Sequence, residues 1–280
     1  MDNKKDEDKI NDALNKVIKE SPCIELKRNY ETKQLLIGGL SESHLAYIAE
    51  KLKNTYDVDI ALGVPKIVYR EAIKAKAEAE GRYIKQSGGS GFYGVVVMRF
   101  EPSEESVFTE EVFGGAVPKN YFPAVEKGFN ESLQAGLLAG FPVVGVKATL
   151  LDGKYHAVDS NELAFKMAAI LAFKEAYMKC KPTILEPIMK ITVNVENQYI
   201  GNIMSDLTVR RARVMNMEEQ GDDTQNIIAL APESEIQDYV TKLRVLTQGS
   251  GFFNREFDSF QEVPAQLQEK VLRDNSLLNK

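Results

Sequence analysis

The stretch SGGSGFYGVVV, residues 87–97, places three glycines within four residues and then enters an apolar, β-branched run. A phosphate-binding loop needs its glycines between a strand and a helix, so that backbone N–H groups at the helix N-terminus face the anion. The run VVVMRF, residues 95–100, is instead typical of a strand, and no Gly-Lys-Ser/Thr follows it. The sequence therefore predicts a hairpin turn between two strands rather than a nucleotide site.

A second stretch, TQGSGFFNREF at residues 247–257, repeats this layout of a polar residue, Gly-Ser-Gly, two aromatic residues and a strand-like run. In the first stretch the aromatic pair is Phe92 and Tyr93. Phe92 can either fold back onto the predicted hairpin or stack on an exposed base, as aromatic side chains of single-strand binders do. The residues themselves give both alternatives equal weight.

The composition indicates an ordinary globular protein of two or three domains, with 44% hydrophobic and 27% charged residues among 280. Its 35 lysine and arginine residues against 41 acidic ones give a formal net charge of −6. Proteins that coat nucleic acid usually do so through a basic face. The negative net charge therefore disfavours sequence-independent nucleic-acid binding. A locally basic tip is still compatible with this net charge.

Cys23 and Cys180 are the two cysteines, and their separation predicts two buried free thiols in a reducing compartment. The first residues, MDNKKDEDK, are charged where a signal peptide would be apolar. No apolar run approaches the roughly 20 residues that span a bilayer. We therefore expect a cytoplasmic protein without a membrane partner.

Hydrophobic periodicity predicts an α+β fold in three domains. The first, residues 1–72, has the pattern of a leading helix followed by β-β-α-β, with VDIALG (residues 58–63) as its last strand. The last, residues 185–262, has the pattern β-α-β-β-α-β. Both patterns fit a ferredoxin-like split βαβ unit. A different α+β domain, residues 73–184 with the tail 263–280, lies between them in the chain.

Candidate catalytic and metal-binding residues are few. Two histidines and two distant cysteines offer neither the ligand spacing of a zinc site nor a nucleophile–base pair, so we expect no catalytic residue and no metal. His156 lies in DGKYHAVDS, between a predicted strand and a helix that Asp159 or Ser160 is expected to cap. Loops in such positions often carry function.

The cluster VRRAR places Arg210, Arg211 and Arg213 at the end of a predicted helix. Positive charges there complement the helix dipole on a solvated face. Contact with the phosphates of a nucleic acid is an equally good interpretation of the three arginines.

Five stretches, in this order along the chain, carry a specific resemblance: AEGRYIKQSGGSGFYGVVVMRFEP, DGKYHAVDSNELAFKMAAILAFKEAY, LEPIMKITV, GNIMSDLTVRRARV and TQGSGFFNREFDSFQEVP. Together they resemble the C-terminal half of bacterial elongation factor G, its third, fourth and fifth domains, over residues 6–264. The resemblance implies a middle domain of the ribosomal-protein-S5-domain-2-like fold between two ferredoxin-like domains. Members of that family are translational GTPases that promote movement of transfer RNA and messenger RNA through the ribosome.

The resemblance also implies roles for particular residues. Loops at the far end of the fourth domain would contact transfer RNA and messenger RNA at the decoding region, with His156 beside the peptidyl-site transfer RNA. These loops contain Gly88, Gly89, Ser90, Gly91, Phe92, Tyr93, Tyr155, His156, Asp159 and Ser160. The fifth domain would lie near ribosomal RNA, with contacts expected from Arg210, Arg211, Arg213, Gln248 and Ser250.

The same resemblance places the cofactors outside this sequence. GTP and Mg²⁺ are expected only in an N-terminal GTPase domain, since neither a P-loop nor an Asn-Lys-x-Asp motif occurs here. That domain and the barrel domain after it would be partners within the same protein, and we expect Met1 to begin an expressed fragment. The chain would then be no enzyme, and it would act as a monomer on the ribosome, whereas its parent would be a GTPase.

Several positions depart from the motifs that the family usually has. GGSGFYG stands in place of GGRGQYG, so that Ser90 replaces an arginine and Phe92 a glutamine. YHAVDS stands in place of YHDVDS, VRRAR in place of SRRG, and TQGSG in place of TQGRG. These changes remove cations and polar donors where RNA contact is implied. They favour an alternative, an elongation-factor-G-like paralogue that acts in ribosome protection, recycling or rescue; an enzyme that binds nucleotide through the glycine-rich loop is a third interpretation.

Overall fold

The computed structural model describes residues 4–85, 91–221 and 223–278, with side chains from residue 9 to residue 275. The chain divides into two compact units, Met1–Val68 and Tyr69–Lys280. Both combine helices with antiparallel strands, as the predicted α+β class requires. None of the helices in the described ranges is long and apolar enough to cross a membrane.

Two helices and one β-hairpin form the first unit. They are α1 (Lys4–Glu20), β1 (Glu25–Asn29), β2 (Gln34–Gly38) and α2 (Glu42–Tyr56). The hairpin turns at Asn29, whose side-chain oxygen accepts hydrogen bonds from the backbone N–H groups of Glu31 and Thr32. Val17 of α1 and Ile48 of α2 are fully buried between these elements and form the centre of the core.

Residues 57–69 form neither helix nor strand, so the strand predicted over residues 58–63 is wrong. Asp57 ends α2 in the left-handed conformation, with φ of 53°. Val58 and Ile60 still pack against the core, which accounts for the alternating pattern in the sequence. Leu62, however, is exposed. The alternation thus reflected side-chain packing without backbone pairing.

The middle domain is a four-stranded sheet covered by helices. Its elements are β4 (Ala77–Lys85), β5 (Phe92–Pro102), β6 (Val107–Glu110), α3 (Phe122–Ser132), β7 (Val146–Lys154) and α4 (Glu162–Tyr177). The strand order is β4-β5-β7-β6, in which β6 runs parallel to β7 and the other pairs are antiparallel. The rings of Phe100, Phe129 and Phe173 meet in the core between sheet and helices.

Helix α4 lies directly on the sheet where alanines of the helix face glycines of the strands. Its buried face carries Ala164, Ala168 and Ala172, each fully buried. A Cβ atom at Gly81 of β4 would lie 1.9 Å from the carbonyl oxygen of Ala168, and one at Gly94 of β5 would lie 2.7 Å from the carbonyl carbon of Ala164. Backbone therefore meets backbone, and this contact fixes where α4 begins relative to the β4–β5 hairpin.

The last domain confirms the predicted ferredoxin-like order. Its elements are β8 (Pro182–Glu196), α5 (Ile200–Val209), β9 (Arg213–Gly221), β10 (Thr224–Pro232), α6 (Glu233–Ile236), α7 (Tyr239–Leu246) and β11 (Phe252–Glu262). The sheet order β11-β8-β10-β9, with every pair antiparallel, is that of a split βαβ unit. The second helix of this pattern is divided into α6 and α7.

One further strand pairs with this sheet, and one further helix is bonded to it. Strand β3 (Arg70–Ile73) pairs antiparallel with the first residues of β8. Helix α8 (Ala265–Leu278) is held at its start by Gln268, whose Nε2 donates to Oγ1 of Thr183 at 3.0 Å and to the carbonyl of Val263 at 2.8 Å.

Glu71 of β3 fastens the middle domain to this extended sheet. Its side chain is fully buried and accepts hydrogen bonds from the backbone N–H groups of Leu138, Ala139 and Phe141, at 2.8 to 3.1 Å, and from the hydroxyl of Tyr177. Burial, together with the bond to Glu71, raises the pKa of Tyr177 well above its ordinary value. The loop between α3 and β7 therefore takes its shape from one carboxylate.

The two cysteines occupy different environments. Cys180, just after α4, is buried as predicted, and burial raises the pKa of its thiol. Cys23 is exposed, so the prediction that it is buried is wrong. It lies in the turn between α1 and β1, where the neighbouring Ile24 supplies the apolar contact with the core.

Candidate nucleic-acid interface

Two loops meet at one end of the middle domain, the β4–β5 connection and the segment that follows β7. The backbone N–H of Tyr93 donates to the carbonyl of Asp159 at 2.9 Å, and the N–H of Gly91 donates to Oδ1 of the same aspartate at 3.2 Å. We call residues 91–93 and 155–160 the tip. Gly88, Gly89 and Ser90, which the sequence also placed here, lie outside the described residues.

The connection between β4 and β5 confirms the hairpin predicted from the glycine-rich stretch. Lys85 pairs with Phe92 at its base, and β5 continues as a strand to Pro102. Because a strand follows the glycines, the helix N-terminus that a phosphate-binding loop requires does not follow them here. Nor do the described residues contain a group of three histidine, cysteine or acidic side chains placed to hold a metal ion.

Ser160 joins the two loops through its hydroxyl. Its Oγ accepts a hydrogen bond from the backbone N–H of His156 at 2.8 Å and donates to the carbonyl of Tyr93 at 2.8 Å. Its backbone N–H donates to the carbonyl of His156 at 3.1 Å, and its own carbonyl accepts from the hydroxyl of Tyr121 at 3.1 Å. One residue thus contacts both tip loops and the body of the domain.

The ring of His156 is held at one nitrogen. Nδ1 lies 3.4 Å from the backbone nitrogen of Val158 and 3.2 Å from that of Asp159, so it is placed to accept from these N–H groups. Oδ2 of Asp159 is also 3.4 Å from Nδ1, but that contact is an ion pair only for a protonated ring. The two backbone donors favour the tautomer with its proton on Nε2. The side chain is 49% exposed and its ring centre lies 5.9 Å from that of Tyr93.

Two residues near His156 in the same loop expose large hydrophobic side chains. Tyr155 is 52% exposed and Val158 is 83% exposed. The sequence singled out Tyr155 but missed Val158, because nothing in the local pattern separates an exposed valine in a loop from a buried one. The tip therefore presents a ring donor beside apolar surface, with its acidic group turned to internal hydrogen bonds.

Phe92 packs against the hairpin, which is one of the two alternatives that the sequence left open. Its ring is half-buried and meets Tyr83 edge-on, with centres 6.2 Å apart and planes at 73°. Nζ of Lys85 lies 5.2 Å from the centre of the same Tyr83 ring. The three side chains form a layered cluster on the hairpin, next to the tip.

Asn161, rather than Asp159 or Ser160, caps helix α4. Its side-chain oxygen accepts from the backbone N–H of Ala164 at 2.9 Å. The predicted cap is therefore wrong by one or two residues. The physical reason is that Asp159 and Ser160 have other partners in the tip, while Asn161 has the extended backbone that an N-cap needs.

In the last domain, Arg210 and Arg211 are bound to carboxylates of their own chain. Nε of Arg210 lies 2.8 Å from Asp206 and its Nη1 lies 2.7 Å from Asp238. Arg211 bonds Glu186 and, through Nε, Glu235 at 3.0 Å. Both guanidinium groups therefore crosslink elements of the domain, and their predicted contact with ribosomal RNA stays a prediction.

The other three predicted RNA contacts do not lie together. Arg213 begins β9 at one edge of the sheet and is exposed. Gln248 and Ser250 are exposed in the turn before β11, which is the opposite edge strand. In this turn Gln248 has φ of 53°. The second Gly-Ser-Gly stretch follows helix α7 and precedes β11, whereas the first stretch lies in sequence between two strands, β4 and β5.

Three family models match the chain in succession. They are "Elongation Factor G, domain III" over residues 1–64, "Elongation factor G, domain IV" over residues 65–181 and "Elongation factor G C-terminus" over residues 183–271. The three regions follow one another in the order of the elements described above. The chain belongs to the elongation factor G family.

Individual relatives agree with this assignment. Elongation factor G of Thermotoga maritima is 44% identical over 275 residues, which cover 96% of this chain and 40% of that protein. A crystal structure of a protein from Thermus thermophilus is 40% identical and superposes with a TM-score of 0.88 over 98% of this chain and 41% of that one. The chain thus spans about two fifths of the length of the relatives that it matches.

Proposed function

We propose that this chain is the ribosome-binding part of a translational GTPase that promotes movement of transfer RNA and messenger RNA during peptide elongation. The observation that carries the proposal is the convergence of residues 91–93 and 155–160 at one end of a domain that matches domain IV of elongation factor G. In this proposal the tip contacts transfer RNA and messenger RNA near the decoding region, and His156 is its principal polar contact.

The role assigned to the chain is mechanical. Backbone-to-backbone packing of α4 on the sheet and the buried Glu71 make the middle domain a stiff arm, which can hold a position beside transfer RNA and bias its movement in one direction. GTP hydrolysis, with GTP and Mg²⁺ as cofactors, belongs in this proposal to the part of the longer relatives that the chain does not span. A change of nucleotide there would shift the balance between two arrangements of the arm.

The proposed partners follow from the same role. They are ribosomal RNA, transfer RNA, messenger RNA, and the GTPase and barrel domains of the longer proteins. Contacts with ribosomal RNA are assigned to Arg213, Gln248 and Ser250, and with less support to Arg210 and Arg211. We place the protein in the cytoplasm, as a monomer with no membrane partner.

A chimera tests the proposal. The matching region of Thermotoga maritima elongation factor G is replaced by this chain, and single-round translocation is followed on ribosomes with fluorescent transfer RNA. We expect the chimera to translocate and His156→Ala to slow it about tenfold, the cost of losing one well-placed hydrogen bond. His44→Ala is the matched control. A chimera that binds ribosomes but does not translocate, or equal rates for both variants, would contradict the proposal.

A further inference from the structure

We propose that Ser160 is a positioning residue for His156, and that its hydroxyl locks the two tip loops together so that the ring presents Nε2–H to RNA. The part of this inference that concerns RNA rests on the proposed function. The part that concerns the ring is a property of the chain alone.

The hydroxyl of Ser160 spans the gap between the loops. It accepts from the N–H of His156 and donates to the carbonyl of Tyr93, both at 2.8 Å. These are the short distances of well-formed hydrogen bonds. Loss of the oxygen would leave one backbone donor and one backbone acceptor without this partner, on opposite sides of the junction.

The hydroxyl is available for this purpose because the neighbouring residue caps the helix. The hydroxyl of a serine just before a helix ordinarily accepts a hydrogen bond from one of the first free N–H groups of that helix. Here Asn161 accepts from Ala164, so the side chain of Ser160 points to the tip instead. Ser160 therefore joins the two tip loops, while the adjacent Asn161 caps α4.

The junction is anchored in the core of the middle domain. The hydroxyl of Tyr121 donates to the carbonyl of Ser160 at 3.1 Å. The Tyr121 ring stacks on Phe165 of α4, with centres 4.5 Å apart and planes at 21°, and Phe165 is fully buried. The position of His156 therefore depends on contacts that lead to α4 as well as on its own loop.

As a consequence, the exposed nitrogen of the His156 ring acts as a hydrogen-bond donor. With Nδ1 accepting from the N–H groups of Val158 and Asp159, the neutral ring carries its proton on Nε2. Such a ring recognises an acceptor atom of RNA, a phosphate, ribose or base oxygen, and offers nothing to a donor. A ring free to exchange tautomers would recognise both.

Nitrogen NMR on the 280-residue chain tests the positioning directly. The chain has only two histidines, so His44 is an internal control in a chain labelled with ¹⁵N-histidine. At about pH 9, where histidine rings are neutral, we expect His156 to show the Nε2–H tautomer alone. In Ser160→Ala we expect the Nδ1–H tautomer to rise severalfold, and in Ser160→Thr, which keeps the hydroxyl, we expect the single tautomer to return. His44 should not change in either variant.

Two results would overturn the positioning role. One is an unchanged His156 tautomer in Ser160→Ala whose His44 signals match those of the parent chain. The other is a mixture of tautomers in the parent chain itself, a measurement that does not depend on whether the variants fold.

The chimera then separates this inference from the proposed function. If both hold, Ser160→Ala slows translocation about as much as His156→Ala, the double variant is no slower, and Ser160→Thr restores the rate. A slow His156→Ala with a normal Ser160→Ala would refute the positioning role and keep the function. Normal rates for both variants, with the NMR result as expected, would refute the proposed contact with RNA and keep the positioning role.

Discussion

Arg211 and Glu186 face each other through two parallel hydrogen bonds, Nη1 to Oε1 at 2.7 Å and Nη2 to Oε2 at 2.9 Å. The glutamate side chain is 5% exposed and the arginine side chain 27%. Glu186 lies in β8, while Arg211 follows α5 and also bonds Glu235 of α6. The pair therefore ties three elements of the last domain together.

Arg211→Ala should lower the free energy of unfolding by about 2–3 kcal/mol, because it leaves the carboxylate of Glu186 buried without its charge partner. Urea denaturation measures the change. The matched control is Arg213→Ala, two residues along on an exposed strand position, for which we expect about 0.5 kcal/mol or less. Equal losses in the two variants would show that the ion pair does not stabilise the domain.

Glu71→Gln should lower the free energy of unfolding by about 2–4 kcal/mol, since an amide cannot accept from every donor that faces the carboxylate. Hydrogen exchange should show faster exchange of the amides of Leu138, Ala139 and Phe141 in particular. Glu78→Gln, at an exposed glutamate paired with Arg99, is the control and should change stability by about 0.5 kcal/mol or less. Unchanged protection of the three amides would count against a structural role for Glu71.

Two glycine-to-alanine changes should have opposite signs. Gly81→Ala places a Cβ 1.9 Å from the carbonyl oxygen of Ala168 and should cost about 3 kcal/mol or more, because backbone must move. Gly201→Ala, in helix α5 where the added Cβ would enter open space beyond its own helical turn, should stabilise by up to about 1 kcal/mol. Thermal unfolding of both variants checks the pair. A stable Gly81→Ala would mean that α4 can lift from the sheet at little cost.

Thiol labelling should separate the two cysteines. Burial raises the pKa of Cys180, so near neutral pH its thiolate fraction is below that of an ordinary thiol, and it is also shielded from reagent. We expect Cys23 to react at least about a hundredfold faster with a maleimide, a factor that corresponds to a protecting free energy of about 3 kcal/mol. Cys23→Ser should abolish the fast phase, and urea should bring Cys180 into it. As pH rises past the ordinary thiol value the unfolded chain ionises first, so the contribution of Cys180 to stability falls.

The sequence predicted best the features that depend on local pattern. The pairing of β4 with β5 followed from the β-branched run after the glycines, and the order of the last domain followed from alternating strand and helix periods. Both signals lie within about ten residues of the element they describe. The site residues around His156 could be named only through the family resemblance.

The misses depend on partners distant in sequence or on competition between neighbours. Arg211 bonds Glu186, which lies 25 residues away in sequence, and no local pattern predicts that bond. Residues 58–63 alternate like a strand yet pair with no strand of the described chain. Asn161 caps α4 because the hydroxyl of Ser160 bonds Tyr93 across the tip. That bond depends on where both loops lie, which a local sequence pattern does not contain.

The connection from α4 to β8 has a consequence for how load travels through the molecule. Only residues 178–181 separate the helix that backs the tip from a 15-residue strand at the centre of the last sheet. The first residues of that strand also pair with β3, whose Glu71 accepts hydrogen bonds from the loop between α3 and β7 of the middle domain. The middle domain is therefore joined to the last sheet at two places, and a rotation of one against the other would strain the buried hydrogen bonds of Glu71.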